Sequence, residues 1–199
     1  INVLLCFLIA RRLFGDVAGL ISAALMSTYW VFIYFEGEFL EPSFAVLLVL
    51  LIVRVAISWP ESQSTLRMLV AGVLLGVLAL VRPNALLWVI AVGAWASWSL
   101  LGRSQKKRVA TTLAVLLAGT LLAVAPVTSM NYVVGRDLVP ISSNGGVNLF
   151  IGNNDRADGL VRGTMPGIGN LDTSFDWPTI VRNLEAKTCL LYTSDAADE

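Results

Sequence analysis

Long apolar runs broken by short clusters of charge make up the first two thirds of this chain. Residues 17–35 carry no charge, and neither do residues 43–53, 68–81, 85–101 or 109–127. At about 1.5 Å per residue, runs of this kind predict helices that cross a hydrocarbon core roughly 30 Å thick. Residues 1–10 read as the end of a first helix, and Arg11–Asp16 as a short charged loop. Residues 36–42 form an acidic turn in which Pro42 suits the first turn of the next helix. That helix covers 43–58, with Arg54 placed to snorkel to the interface. Arg82-Pro83-Asn84 separates 68–81 from 85–101, and a basic loop over 102–108 precedes 109–127, where Pro126 helps to end the last span. The pattern predicts an all-α polytopic membrane protein with about five full spans after a partial first helix.

Beyond residue 127 the pattern changes. The expected organisation is a transmembrane helix bundle over 1–127 and an extracytoplasmic segment over 128–187. Residues 188–199 change composition abruptly and are expected to be a non-native tail. Because the chain opens with Ile1 inside an apolar stretch, its natural N-terminus is expected to lie upstream.

The loops also differ in charge. One alternate set holds Arg11, Arg12, Arg67, Arg103, Lys106, Lys107 and Arg108, whereas the short loops of the other set hold only Arg82 as a base. Positive charge favours the cytoplasmic side. The acidic turn, Arg82 and the segment after residue 127 are therefore expected to share the outer face. Within 68–81, Gly72 and Gly76 have the spacing that lets two helices approach closely.

Composition supports the membrane reading and narrows the chemistry. Of 199 residues, 56% are hydrophobic and 14% charged, with no net charge; soluble domains average roughly 25% charged. The balance excludes a basic nucleic-acid binder, so no nucleic-acid partner is expected. The chain has no histidine and two cysteines, which removes imidazole zinc sites and any disulfide framework. It has no P-loop, no dinucleotide fingerprint and no metalloprotease helix.

Candidate chemistry gathers in the outer loops. Glu36 and Glu38 flank Gly37, so a turn there can aim two carboxylates at one point, to accept sugar hydroxyls, hold a divalent cation or act as a base. Glu41, beside Pro42, suits the positive end of a helix dipole. Arg82 suits a phosphate at headgroup depth, a headgroup anchor or an ion pair with one of the glutamates. Further on, residues 140–159 hold Asn-Gly-Gly and Gly-Asn-Asn turn signals around a strand-like run at 147–151. Asn144, Asn153 and Asn154 there suit sugar hydroxyls. The Asp spacing does not match a calcium-binding EF-hand loop.

Arg12-Leu-Phe-Gly15 before a helix, Glu38-Phe-Leu after it, Gly72 through Pro83, and Ile141 through Asp155 together resemble bacterial members of glycosyltransferase family 39. These are relatives of the protein O-mannosyltransferases and the lipid A aminoarabinose transferases. The likeness runs over about residues 1–187. It implies a GT-C fold, a polyprenyl-phosphate sugar donor, and transfer with inversion to a lipid, glycan or protein acceptor on the outer side of the bacterial inner membrane. It assigns Glu38 a supporting donor or metal role and Arg82 a phosphate role. The family's catalytic carboxylate lies in the first outer loop, expected upstream of residue 1, so no catalytic base is assigned and this chain by itself is expected to be inactive. Membrane lipids are the remaining expected partners. A transporter or flippase is the alternative and predicts charged or broken-helix sites near the bilayer midplane; a non-catalytic membrane scaffold is a third reading.

Overall fold

The computed structural model describes residues 1–38, 40–101, 106–136 and 138–142, with the backbone of Thr164–Met165 and Gly169–Asn170. The chain divides into two units, Ile1–Ser129 and Met130–Glu199. Among the described residues, seven α-helices run in order: α1 Asn2–Phe14, α2 Asp16–Thr28, α3 Trp30–Gly37, α4 Glu41–Ser62, α5 Thr65–Val81, α6 Leu87–Leu101 and α7 Lys106–Gly135. A 3₁₀ turn, Pro83–Leu86, joins α5 to α6. In the second unit, Thr164–Met165 and Gly169–Asn170 pair as a two-residue antiparallel ribbon. The protein is an all-α polytopic membrane protein.

Three described helices are long and apolar enough to cross a membrane: Glu41–Ser62, Pro83–Leu101 and Lys107–Gly135. The expected straight helix over 17–35 is instead α2 and α3, bent by 58° at Tyr29. The Ser27 and Thr28 hydroxyls both donate to the Ala24 carbonyl at 2.9 Å. Such bonds compete with the helical ladder, and the aromatic and β-branched residues that follow lose rotamer freedom in a helix. Tyr29 accordingly adopts extended backbone.

Two further boundaries differ from the sequence expectation. The Arg11–Asp16 stretch is helical except at Gly15, whose φ of 94° suits a residue without Cβ. α1 and α2 therefore form a tight helical hairpin, and a Cβ added at Gly19 would come within 3.1 Å of Phe7. Pro126 does not end the last helix, which runs on to Gly135.

The core of the first unit forms around α5. Met68, Leu75, Leu78 and Ala79 of α5 are buried with Leu48, Ile52 and Trp59 of α4, Ala96 and Leu100 of α6, and Leu116 of α7. At 17 residues, α5 is about 26 Å long, slightly short of the hydrocarbon thickness. Its helix continues into the 3₁₀ turn after a break at Arg82, which precedes a proline and is held out of the helical region.

Gly72 and Gly76 pack α5 directly on α7. A Cβ at Gly72 would lie 2.3 Å from the Leu116 carbonyl oxygen, and one at Gly76 would lie 2.6 Å from that of Thr120. Gly119 supplies the reciprocal gap against Leu69. The expected close-contact spacing is thus realised as a backbone-to-backbone crossing, the arrangement small residues permit between membrane helices. Exposed Leu20, Leu25, Leu66, Leu87, Ile90, Leu121 and Leu122 give the bundle an apolar exterior, as a lipid-facing surface requires.

Candidate functional site at one end of the helix bundle

The charged side chains of the first unit sort to two ends. At one end, Arg12 pairs with Glu61 at 2.5 Å, Arg67 donates to the Ser58 carbonyl at 2.8 Å, and Arg108 donates to Gln63. These contacts join the α1–α2 corner, the α4–α5 loop and the start of α7. At the other end, Asn2 meets Glu36 and Ser43, and Glu41 meets Arg82. The loop sets separated by charge in the sequence are therefore separated in space.

Local chemistry builds the second end. α3 finishes at Gly37, and Glu38 forms its C-cap, its N–H bonding the Tyr34 carbonyl at 3.0 Å. Leu40 is the N-cap of α4, which puts Glu41 and Pro42 in that helix's first turn. Both residues suit the position: the carboxylate faces the positive helix end and the proline lacks only an N–H that has no helical partner there. Arg82 caps α5, its N–H bonding the Leu78 carbonyl at 2.8 Å while its own carbonyl accepts from Ala85.

The side chains form two pairs instead of one acidic focus. Arg82 Nη2 lies 2.6 Å from Glu41 Oε1, with both side chains about half exposed (50% and 55%). Glu36, in the last turn of α3, accepts from Asn2 Nδ2 at 3.0 Å. Glu38 is exposed and has no ion pair among the described residues. Although Glu36 and Glu38 flank Gly37, the helix end sends them to different surroundings. A groove of about 360 Å³ opens beside Glu36, between Asn2 and the apolar Leu40, Phe44 and Leu47.

Among the described residues, no three His, Cys, Asp or Glu side chains come together as metal ligands. Asn144, Asn153 and Asn154 lie outside the described residues. Just before them, in the second unit, Asn131 donates to the Val139 carbonyl at 3.0 Å and draws residues 138–142 back onto the end of α7. A hollow of about 410 Å³ there is lined by Met130, Asn131, Val134, Val139 and Ser142 among others.

Sequence reasoning passed over Asn2, which belongs to no motif. Its signal was polarity within an apolar helix, where an amide needs a partner. Glu41 was read as a helix-start residue, and the structure adds Arg82 as its partner.

The sequence of residues 1–130 matches the family model described as dolichyl-phosphate-mannose-protein mannosyltransferase. The chain belongs to this family. The match covers the whole helical arrangement that carries Glu36, Glu38, Glu41 and Arg82. No curated protein and no solved structure matches the chain. Family membership makes this a multi-pass membrane glycosyltransferase of mannosyltransferase type with the GT-C architecture. The mannosyltransferase family thus replaces the transporter and scaffold readings that composition alone left open.

Proposed function

We propose that this chain is the part of a membrane glycosyltransferase that receives a polyprenyl-phosphate sugar and presents it to a lipid, glycan or protein acceptor. The observation that carries this reading is Arg82, a base in a family-matched segment, held at the same end of the bundle as three glutamates. A guanidinium binds phosphate through two parallel hydrogen bonds. Its partner Glu41 is half exposed, so the pair is open to exchange with a lipid phosphate at headgroup depth. Glu41 then keeps Arg82 extended when no phosphate is bound.

Glu36 and Glu38 are proposed as separate acceptors for sugar hydroxyls. Glu38 supports a divalent cation only as a single protein ligand beside phosphate oxygens, a pattern magnesium accepts. Asn144, Asn153 and Asn154 are proposed as further hydroxyl partners. Positive loops at the opposite end support a cytoplasmic position for that end, and the site is proposed to lie on the outer face of a bacterial inner membrane.

The test is sugar transfer by the enzyme carrying Arg82→Ala or Glu38→Gln. Reduced transfer in both supports the reading, and full activity in both overturns the site assignment.

A further inference from the structure

Asn2 is only 6% exposed, yet it carries two hydrogen bonds that join three elements. From the first turn of α1 its Nδ2 donates to Glu36 Oε1 on α3 at 3.0 Å and to the Ser43 carbonyl on α4 at 3.3 Å. Both partners only accept, so the amide nitrogen must face them. Its Oδ1 is buried with no hydrogen-bond partner among the described residues. Leaving a buried acceptor unmatched is costly. The side chain is therefore held in this orientation by what its nitrogen does.

A carboxylate offers about four lone-pair sites, and Asn2 occupies one of them. Glu36 remains exposed beside the groove. Leu40, Phe44 and Leu47 give that groove an apolar wall, while Asn2 and Glu36 give it a polar edge. Such a surface fits a molecule with a hydroxyl-bearing head and a hydrocarbon chain.

We propose that Asn2 is a positioning residue: it holds the Glu36 carboxylate at the edge of this groove as the acceptor for a hydroxyl on the sugar of the lipid-linked donor. The inference rests on the reading of Glu36 as a substrate-binding residue. Asn2 acts through Glu36, and its own amide hydrogens are already committed to protein.

The experiment measures kcat and KM for a polyprenyl-phosphate mannose donor with the enzyme in nanodiscs. Glu36→Ala should raise the donor KM about tenfold, as loss of a hydrogen bond to a charged group implies. Asn2→Ala should raise the same KM about fivefold, and the double variant should match Glu36→Ala alone, because the two side chains act as one unit. Asn2→Asp keeps the shape but sets one carboxylate against another, so it should raise the donor KM at least as much. Asn2→Gln, which retains the amide, should recover part of the loss.

An unchanged KM in Asn2→Ala or Asn2→Asp, beside a raised KM in Glu36→Ala, overturns the role of Asn2 and leaves that of Glu36 standing. An unchanged KM in Glu36→Ala overturns the reading on which the inference rests. If Asn2 is only a staple between helices, Asn2→Ala lowers the thermal unfolding temperature, adds independently to Glu36→Ala and leaves the donor KM alone.

Discussion

Arg82 at the end of α5 and Glu41 at the start of α4 form an ion pair at 2.6 Å. The pair closes the end of the bundle where α5 gives way to the 3₁₀ turn. Neither residue's local role accounts for it: Glu41 suits a helix start and Arg82 precedes a helix-breaking proline. Half exposure of both side chains limits its contribution to about 0.2–1 kcal/mol. On the proposed function, the pair places a guanidinium beside a carboxylate that a phosphate would displace.

That geometry predicts different outcomes for the two partners. Glu41→Gln should lower stability by less than about 1 kcal/mol and leave most sugar transfer intact. Arg82→Ala should cost a similar amount of stability but reduce transfer by about tenfold or more, through loss of a charge-assisted contact with phosphate. Arg82→Lys should recover only part of the activity, because an ammonium lacks the planar fork. Thermal unfolding in detergent and transfer kinetics measure both sides. Equal effects on transfer from Glu41→Gln and Arg82→Ala would instead assign the pair a purely structural role.

Glu38 is exposed at the C-cap of α3, without an ion pair among the described residues. Glu38→Gln should therefore change stability by no more than about 0.5 kcal/mol, the usual range for a surface site. Its effect should appear in sugar transfer and, if the carboxylate helps to hold a cation, as a weaker response to added magnesium. A stable variant with unaltered transfer at every magnesium concentration would remove Glu38 from the site.

The α5–α7 crossing gives a prediction independent of function. Gly72→Leu must push apart two backbones, since even a Cβ would sit 2.3 Å from the Leu116 carbonyl oxygen. The expected loss is at least about 1–3 kcal/mol, the range for an overfilled core. Gly37→Ala is the control, because a Cβ there meets nothing within 4 Å, and it should stay within about 0.5 kcal/mol. Comparable unfolding temperatures for the two variants would show that α5 and α7 do not cross in this way.

The two ends of the bundle predict opposite accessibility. With Cys6 and Cys189 changed to serine, Gly37→Cys should react with a membrane-impermeant maleimide from the outside, and Ser64→Cys from the cytoplasmic side. Right-side-out and inverted vesicles distinguish the two. Labelling in the reverse sense would overturn the proposed orientation, and labelling of both from one side would overturn the separation of the ends.

The helical character of the apolar runs and the sorting of loops were legible because their causes are local. An uncharged run long enough to cross a membrane stays helical since hydrocarbon cannot satisfy a free backbone. Charges between such runs mark the ends, and alternate loops must emerge on opposite sides. The glycine spacing in α5 announced a close approach, although the partner helix had to come from the fold. The bend at Tyr29 was hidden by the uniform hydropathy of 17–35, because hydroxyl back-bonding is weak and its effect depends on the residues that follow.

The amino-acid sequence by itself determined a polytopic helical protein, a polar end rich in carboxylates and a likeness to membrane glycosyltransferases. Each follows from periodicity, charge order or short motifs. Only the tertiary structure decided how that end is wired: Arg82 to Glu41, Asn2 to Glu36, and Glu38 left facing solvent. These are contacts between separate helices, set by the bend after α2, the cap at Leu40 and the packing around α5. Residues close in sequence, such as Glu36 and Glu38, diverged because a helix end turns neighbouring side chains in different directions. Residues remote in sequence, such as Asn2 and Glu36, met because the bundle brings α1 against α3 and α4.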